Sequence, residues 1–241
     1  MTMTITGLDR IDAYVREPVQ RYAELVQSLA GAAALSLTVF GSAAAGTFDP
    51  KRHTVRNVLV LNGVDLGFLR QLAGHGRTLG KDHISAPLIM TPDYIQASLD
   101  TFPLELLAIQ QRHVVLFGED HFADLPFEAP NVRLQCEREI KALLIGMRQG
   151  LLAAAGRDKF VGELELNIAE GMVRTLRGML WLKGQRDAKP AADVVATIES
   201  LIHRSLAGVR NALDASAEHG WPQFDALYAD LEAIGKVIDA W

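Results

Sequence analysis

Residues 35–61 read LSLTVFGSAAAGTFDPKRHTVRNVLVL, two apolar runs joined by a turn of small residues. Leu35, Leu37 and Val39 alternate with Ser36 and Thr38, the period-two pattern of a half-buried strand. At Gly41-Ser42 the missing glycine Cβ lets the backbone turn tightly and approach a ligand. Ala43 to Gly46 reads as one short helical turn. The N–H groups at its start have no partner inside the helix and form a seat for a phosphate. Val55 to Leu61 supplies a second strand.

Upstream, Leu8, Ile11, Val15, Val19, Tyr22, Leu25 and Leu29 recur at spacings of three and four, predicting an amphipathic helical region divided at Pro18. Downstream, Asn62-Gly63 is a turn and Asp65 caps a helix through Leu66, Leu69 and Leu72. Gly74-His75-Gly76-Arg77 breaks it, leaving His75 in a solvated loop. Ile84 to Met90 is a third strand. Thr91-Pro92-Asp93 opens the next helix with a cap, a proline at the first position and an acid in the first turn. That helix is expected to end near Phe102-Pro103. Leu104 to Ile109 reads as a further strand with Glu105 its only charge, and Val114 to Phe117 as another, closed by Gly118-Glu119-Asp120.

Strand, Gly-Ser, short helix and second strand resemble the opening of a nucleotidyltransferase fold of the DNA polymerase beta superfamily. More narrowly, the chain resembles the small bacterial nucleotidyltransferase-domain proteins with a helical C-terminal half, which carry a similar Phe-Pro-x-Glu segment and Leu-x-Gly-Glu-Asp turn. With both ends matched, the resemblance covers roughly residues 30–125. It implies that Gly41 and Ser42 hold a nucleotide triphosphate. It also implies two magnesium ions on an Asp-x-Asp pair opening the second strand, with a third acid on a later strand. The positions that look like the pair are Asn57 and Leu59, and the strand expected to carry the third acid, Ile84 to Met90, has none. Magnesium wants carboxylate oxygens in octahedral geometry, and two-metal transfer needs anionic ligands to hold both ions. The resemblance therefore implies a nucleotide as ligand but no magnesium, and no catalytic residue is assigned.

From Asn131 onward the pattern is helical throughout. One stripe carries Val132, Cys136, Ile140, Leu143, Met147 and Leu151; a second, from Asp158 to Leu182, carries Phe160, Leu164, Ile168, Met172, Leu176 and Met179. Lys189-Pro190 opens a third with Val194, Ile198, Leu201, Val209 and Leu213. Gly220-Trp221-Pro222 opens the last with Phe224, Leu227, Leu231, Ile234 and Ile238. Short connections between such stripes predict an antiparallel bundle. Gly146, Gly150, Gly162, Gly171 and Gly178 each cost ~1 kcal/mol against alanine inside a helix. They imply two helices in close approach, within the chain or across a dimer. The expected fold class is α+β: a small mixed β-sheet domain over residues 1–128, then an all-α helical bundle over 129–241.

The chain has 241 residues, 49% hydrophobic and 22% charged, enough to bury a core. A net charge of −5 leaves no basic footprint for nucleic acid. The single cysteine, Cys136, excludes an internal disulfide framework, fits a reducing cytosol and reads as a buried thiol. No apolar run approaches the ~20 residues of a membrane span, and the N-terminus lacks the regions of a signal peptide, so a cytoplasmic protein is expected.

Glu119, Asp120, His121 and Asp124 are the densest group of metal-ligand types, though acids capping a turn explain them better than an ion does. Glu105 is either a buried carboxylate or one on a sheet edge. His113 reads as a core or rim histidine. Phosphate loop, dinucleotide fingerprint, His-Glu-x-x-His and nucleophile elbow are all missing. Three functions remain open. One is a catalytically degenerate nucleotidyltransferase that acts by binding. Another is an active enzyme using other acids, such as Asp49, Asp65 or Glu105, on a small molecule or protein. The third is an interaction module of the toxin–antitoxin kind, acting through its helical bundle.

Overall fold

The computed structural model describes residues 3–155, 157–187, 189–214 and 216–241, without the side chains of residues 158–160, 166, 167 and 170. The expected stripe member Phe160 is thus outside the described side chains. The chain divides into two units, Met1–Leu99 with Ala108–Pro126, and Asp100–Leu107 with Phe127–Trp241. A mixed-sheet region comes first and an all-helical bundle follows. Among the described residues no helix is long and apolar enough to cross a membrane.

In the first unit, 3-10 turns at Leu8–Arg10 and Ala13–Val15 lead into helix α1 (Arg16–Ala30). Pro18 does not divide this region as expected: it lies in the first turn of α1, where an amide hydrogen has no intrahelical partner to lose. Strand β1 (Ala34–Phe40) is central. After the short helix α2 (Ser42–Ala45) comes β2 (Arg56–Leu61). Helices α3 (Leu66–Ala73) and α4 (Gly76–Lys81) lead to β3 (Leu88–Met90). Then come α5 (Pro92–Ala97), α6 (Pro103–Gln111) and β4 (His113–Gly118).

The sheet order is β3-β2-β1-β4, with β1 antiparallel to both β2 and β4 and β2 parallel to β3. Leu37, Val39, Leu59, Val15, Val19 and Tyr22 share one hydrophobic core, so α1 covers one sheet face. At the end of β4, Gly118 has φ 80°, and a Cβ there would stand 1.9 Å from the carbonyl oxygen of Leu35. Only glycine fits where β4 closes against β1.

Further expectations at this level are corrected. Leu104–Ile109 is part of α6, not a strand. Leu104, Leu106, Leu107 and Ile109 are all buried, so no polar face reveals the helical period. Pro103 at the first helical position and the run of leucine, glutamate, alanine and glutamine are the helix signals that apolarity masks. The break expected at Gly74–Arg77 is shorter, because Gly76 and Arg77 already begin α4.

The second unit holds α7 (Ala129–Ala154), α8 (Asp158–Leu182), α9 (Ala191–Ile202), α10 (Ala207–Leu213) and α11 (Trp221–Asp239). The expected third helix is two, because His203 turns left-handed at φ 52° and ends α9. Asp230 accepts the Val209 amide at 3.2 Å and caps α10. Burial, opposed by its amide hydrogen bonds, raises the Asp230 pKa. The helical core joins Val132, Cys136, Ile140 and Met147 to Met172, Leu176, Met179 and Leu231. Close helix approach holds at Gly150, where a Cβ would lie 2.5 Å from Leu164, and at Gly178, where it would lie 2.3 Å from Leu104 and 2.8 Å from the Cys136 sulfur. Gly146 faces open space, so close packing does not explain it.

Candidate functional site

The turn after β1 is built by two glycines around one helical turn. Gly41 has φ 77° and ψ −142°, outside the range of other residues, and Gly46 ends α2 with φ 67°. The Ala45 amide donates to the Gly41 carbonyl at 2.9 Å and the Thr47 amide to the Ser42 carbonyl at 3.1 Å. The amides opening α2 precede these and find no acceptor within a helix this short. Gly41 and Ser42 are half-buried. The Gly41 amide makes only a long contact, 3.4 Å, to the Arg112 carbonyl.

Two side chains frame this turn. Arg56 sets its Cδ 3.7 Å from where a Gly41 Cβ would stand, with its guanidinium 4.5 Å from the Phe40 ring centre. Asp12 ties the turn from the other direction. Its amide donates to the Ala43 carbonyl at 2.9 Å, and its carboxylate accepts the amides of Tyr14 at 3.0 Å and Phe48 at 3.2 Å. Arg56 lies within the strand and Asp12 upstream of it, and neither pattern shows that they converge on Gly41 or α2.

The register sets Arg56 nearest the turn on β2. Phe40 pairs with Arg56, Val39 with Asn57 and Leu37 with Leu59. Leu59 is thus removed from the turn, fully buried in the core beneath α1. Val55 directly precedes β2 and bridges to Ile84. It is buried too. Asn57 is 1% exposed, and three hydrogen bonds hold its side chain. Its Oδ1 accepts the Tyr22 hydroxyl at 2.9 Å, and its Nδ2 donates to the carbonyls of Val55 at 3.3 Å and Ser85 at 3.1 Å. Burial drives the Tyr22 pKa upward, keeping the phenol protonated as donor. These residues do not fit a magnesium pair: two are aliphatic, and the one carbonyl oxygen already has its donor.

The remaining candidates have local employment. Asp49 accepts the Lys51 amide and Asp65 caps α3 through the amides of Gly67 and Phe68. Glu105 lies in the first turn of α6, in the second unit, and on neither a strand nor a sheet edge. Arg174 holds it at 3.1 Å and Gln135 donates to its other oxygen at 2.7 Å, while Arg174 also reaches Glu139 at 3.2 Å. Of the Glu119–Asp124 group, Asp120 caps a turn through the amides of Phe122 and Ala123, at 2.9 and 3.1 Å. It also meets Nε2 of His113 at 2.9 Å, while Nδ1 of His113 lies 2.9 Å from the Ile109 carbonyl. Burial pushes the Asp120 carboxyl up, but the His113 hydrogen bond, the Phe122 amide, the His113 charge and the Ala123 amide together hold it below its ordinary value. No cluster of three or more metal-ligand side chains forms among the described residues. Cys136 is buried, its thiol pushed up to about 12 by desolvation and by the nearby Glu139 charge.

No protein-family model and no curated protein matches the chain. A solved structure does: spectinomycin adenyltransferase AAD(9) from Enterococcus faecialis, crystallised with ATP and spectinomycin. The similarity has a TM-score of 0.59 and covers 92% of this chain and 98% of that one. The fold is a nucleotidyltransferase fold. At 14% identity the likeness is one of fold, and it extends across nearly the whole of both chains. In that nucleotidyltransferase frame Gly41-Ser42 ends the central strand, and β2 runs antiparallel beside it.

Proposed function

We propose that this nucleotidyltransferase-fold protein binds a nucleotide through its phosphates at the Gly41–Ser42 turn and does not transfer the nucleotidyl group by a two-metal route. The observation that carries this is Asn57. On β2, one step beyond the Phe40–Arg56 pair, this residue commits its amide group to Tyr22, Val55 and Ser85, with aliphatic Val55 and Leu59 two residues away on each side. Without anionic ligands, drawing a hydrated magnesium ion into this place would strip its water with no charge in return. The turn itself supplies what a phosphate needs without a metal: first-turn amides and a glycine that leaves the backbone bare.

The test is turnover of labelled nucleoside triphosphates with magnesium or manganese and a wide panel of acceptors. The expected result is no product. Turnover abolished by Ser42→Ala would overturn the proposal and put an enzyme in its place.

A further inference from the structure

Linked to α2 through Asp12, four rings from separate segments of the first unit make contact. Tyr14 stacks on Phe48 with centroids 6.0 Å apart and planes 24° from parallel. His83 lies 6.1 Å from Tyr14 and 6.2 Å from Phe48, and His53 lies 6.0 Å from Phe48. Tyr14 is nonetheless 57% exposed, so an aromatic side chain backed by Phe48 stays open to water. Such a ring offers an apolar face and a polar edge.

The group is fixed to the phosphate turn. The Asp12 carboxylate holds the backbones of Tyr14 and Phe48, and the Asp12 amide is bonded to Ala43 of α2. Two residues span at most ~7 Å, which keeps Tyr14 within roughly 10 Å of α2. His83 is held in the left-handed region, φ 58°, with its carbonyl accepting the Val55 amide at 2.7 Å. Such backbone strain persists only where surrounding contacts impose it. His53 accepts the Asp49 amide on Nδ1 at 2.9 Å, which fixes its ring beside Phe48.

We infer that Tyr14, stacked on Phe48, is the platform for the planar base of a nucleotide whose phosphates occupy the Gly41–Ser42 turn. This rests on the phosphate-binding role proposed above for that turn. Stacking is indifferent to base identity, because every base has a π-face, so the platform fits nucleotides as a class.

Calorimetric titration of the full chain with ATP and with inorganic tripolyphosphate tests it. The wild type is expected to bind ATP about tenfold more tightly than tripolyphosphate, the order of one base–aromatic stack. Tyr14→Ala removes that advantage and leaves tripolyphosphate binding unchanged, while Tyr14→Phe keeps it. Equal binding of the two ligands by the wild type, or an undiminished ATP advantage in Tyr14→Ala, overturns the platform and leaves the phosphate turn standing. Binding of neither ligand overturns both.

Discussion

At the residue scale, Asn57 shows how a position near a catalytic-looking turn can be given over to structure. Its amide links α1, β2 and the Ser85 segment in one buried junction. Tyr22→Phe removes a single oxygen and leaves the Asn57 carbonyl buried without a donor, which costs ~1–3 kcal/mol. Urea denaturation should show that loss as a lower midpoint with an unchanged slope. Asn57→Asp would aim a charge at the Val55 and Ser85 carbonyls and should cost at least as much. His113 and Asp120 give a second test. The Asp120 carboxyl is held below its ordinary value, so the folded state releases that proton more readily than the unfolded one. Its contribution is complete above the usual aspartate range of about 4 and is lost as pH falls through the lower folded value. Stability measured from pH 6 down to pH 2.5 should fall less steeply in Asp120→Asn than in the wild type. Side-chain caps were legible from sequence, since Asp65 and Thr91 bond amides two or three residues away. The Tyr22–Asn57 bond joins residues 35 apart, and nothing local to either announces it.

At the element scale, the strand–turn–strand unit and the long amphipathic helices were readable because each has a clear period. Ser36 and Thr38 complicate even β1, since both are fully buried and the strand is covered on its two faces. Where burial is complete the period disappears, which is why α6 resembled a strand. The end of α9 was hidden for another reason: Leu201 and Val209 continue one apparent stripe across the left-handed turn at His203 and the short segment before α10. Glycine positions were more informative. Gly118→Ala would drive a methyl group into the Leu35 carbonyl at a positive φ, combining a steric clash with backbone strain, for a loss of about 3 kcal/mol. Thermal unfolding should show a clear drop in midpoint for Gly118→Ala. Gly146→Ala, facing open space inside α7, should instead be neutral or stabilising by up to ~1 kcal/mol.

At the scale of the whole molecule, a helical bundle accompanies a nucleotidyltransferase fold, and the similarity to a solved adenyltransferase spans both. The change of character near Asn131 was plain in the sequence because strands and amphipathic helices differ in period. The grouping of Asp100–Leu107 with the bundle was not, because that assignment depends on packing of Leu104 and Leu107 against Val132 and Cys136 rather than on chain order. The sequence itself shows that β2 carries no acid. It does not show that Asn57 and Leu59 lie on the face that α1 covers. The central claim is that phosphate is held by backbone amides and not through magnesium. Calorimetric titration of the chain with ATP, in magnesium and again in excess chelator, tests this most directly. The account predicts the same affinity in both conditions and its loss in Gly41→Val, whereas ATP binding that requires magnesium would contradict it.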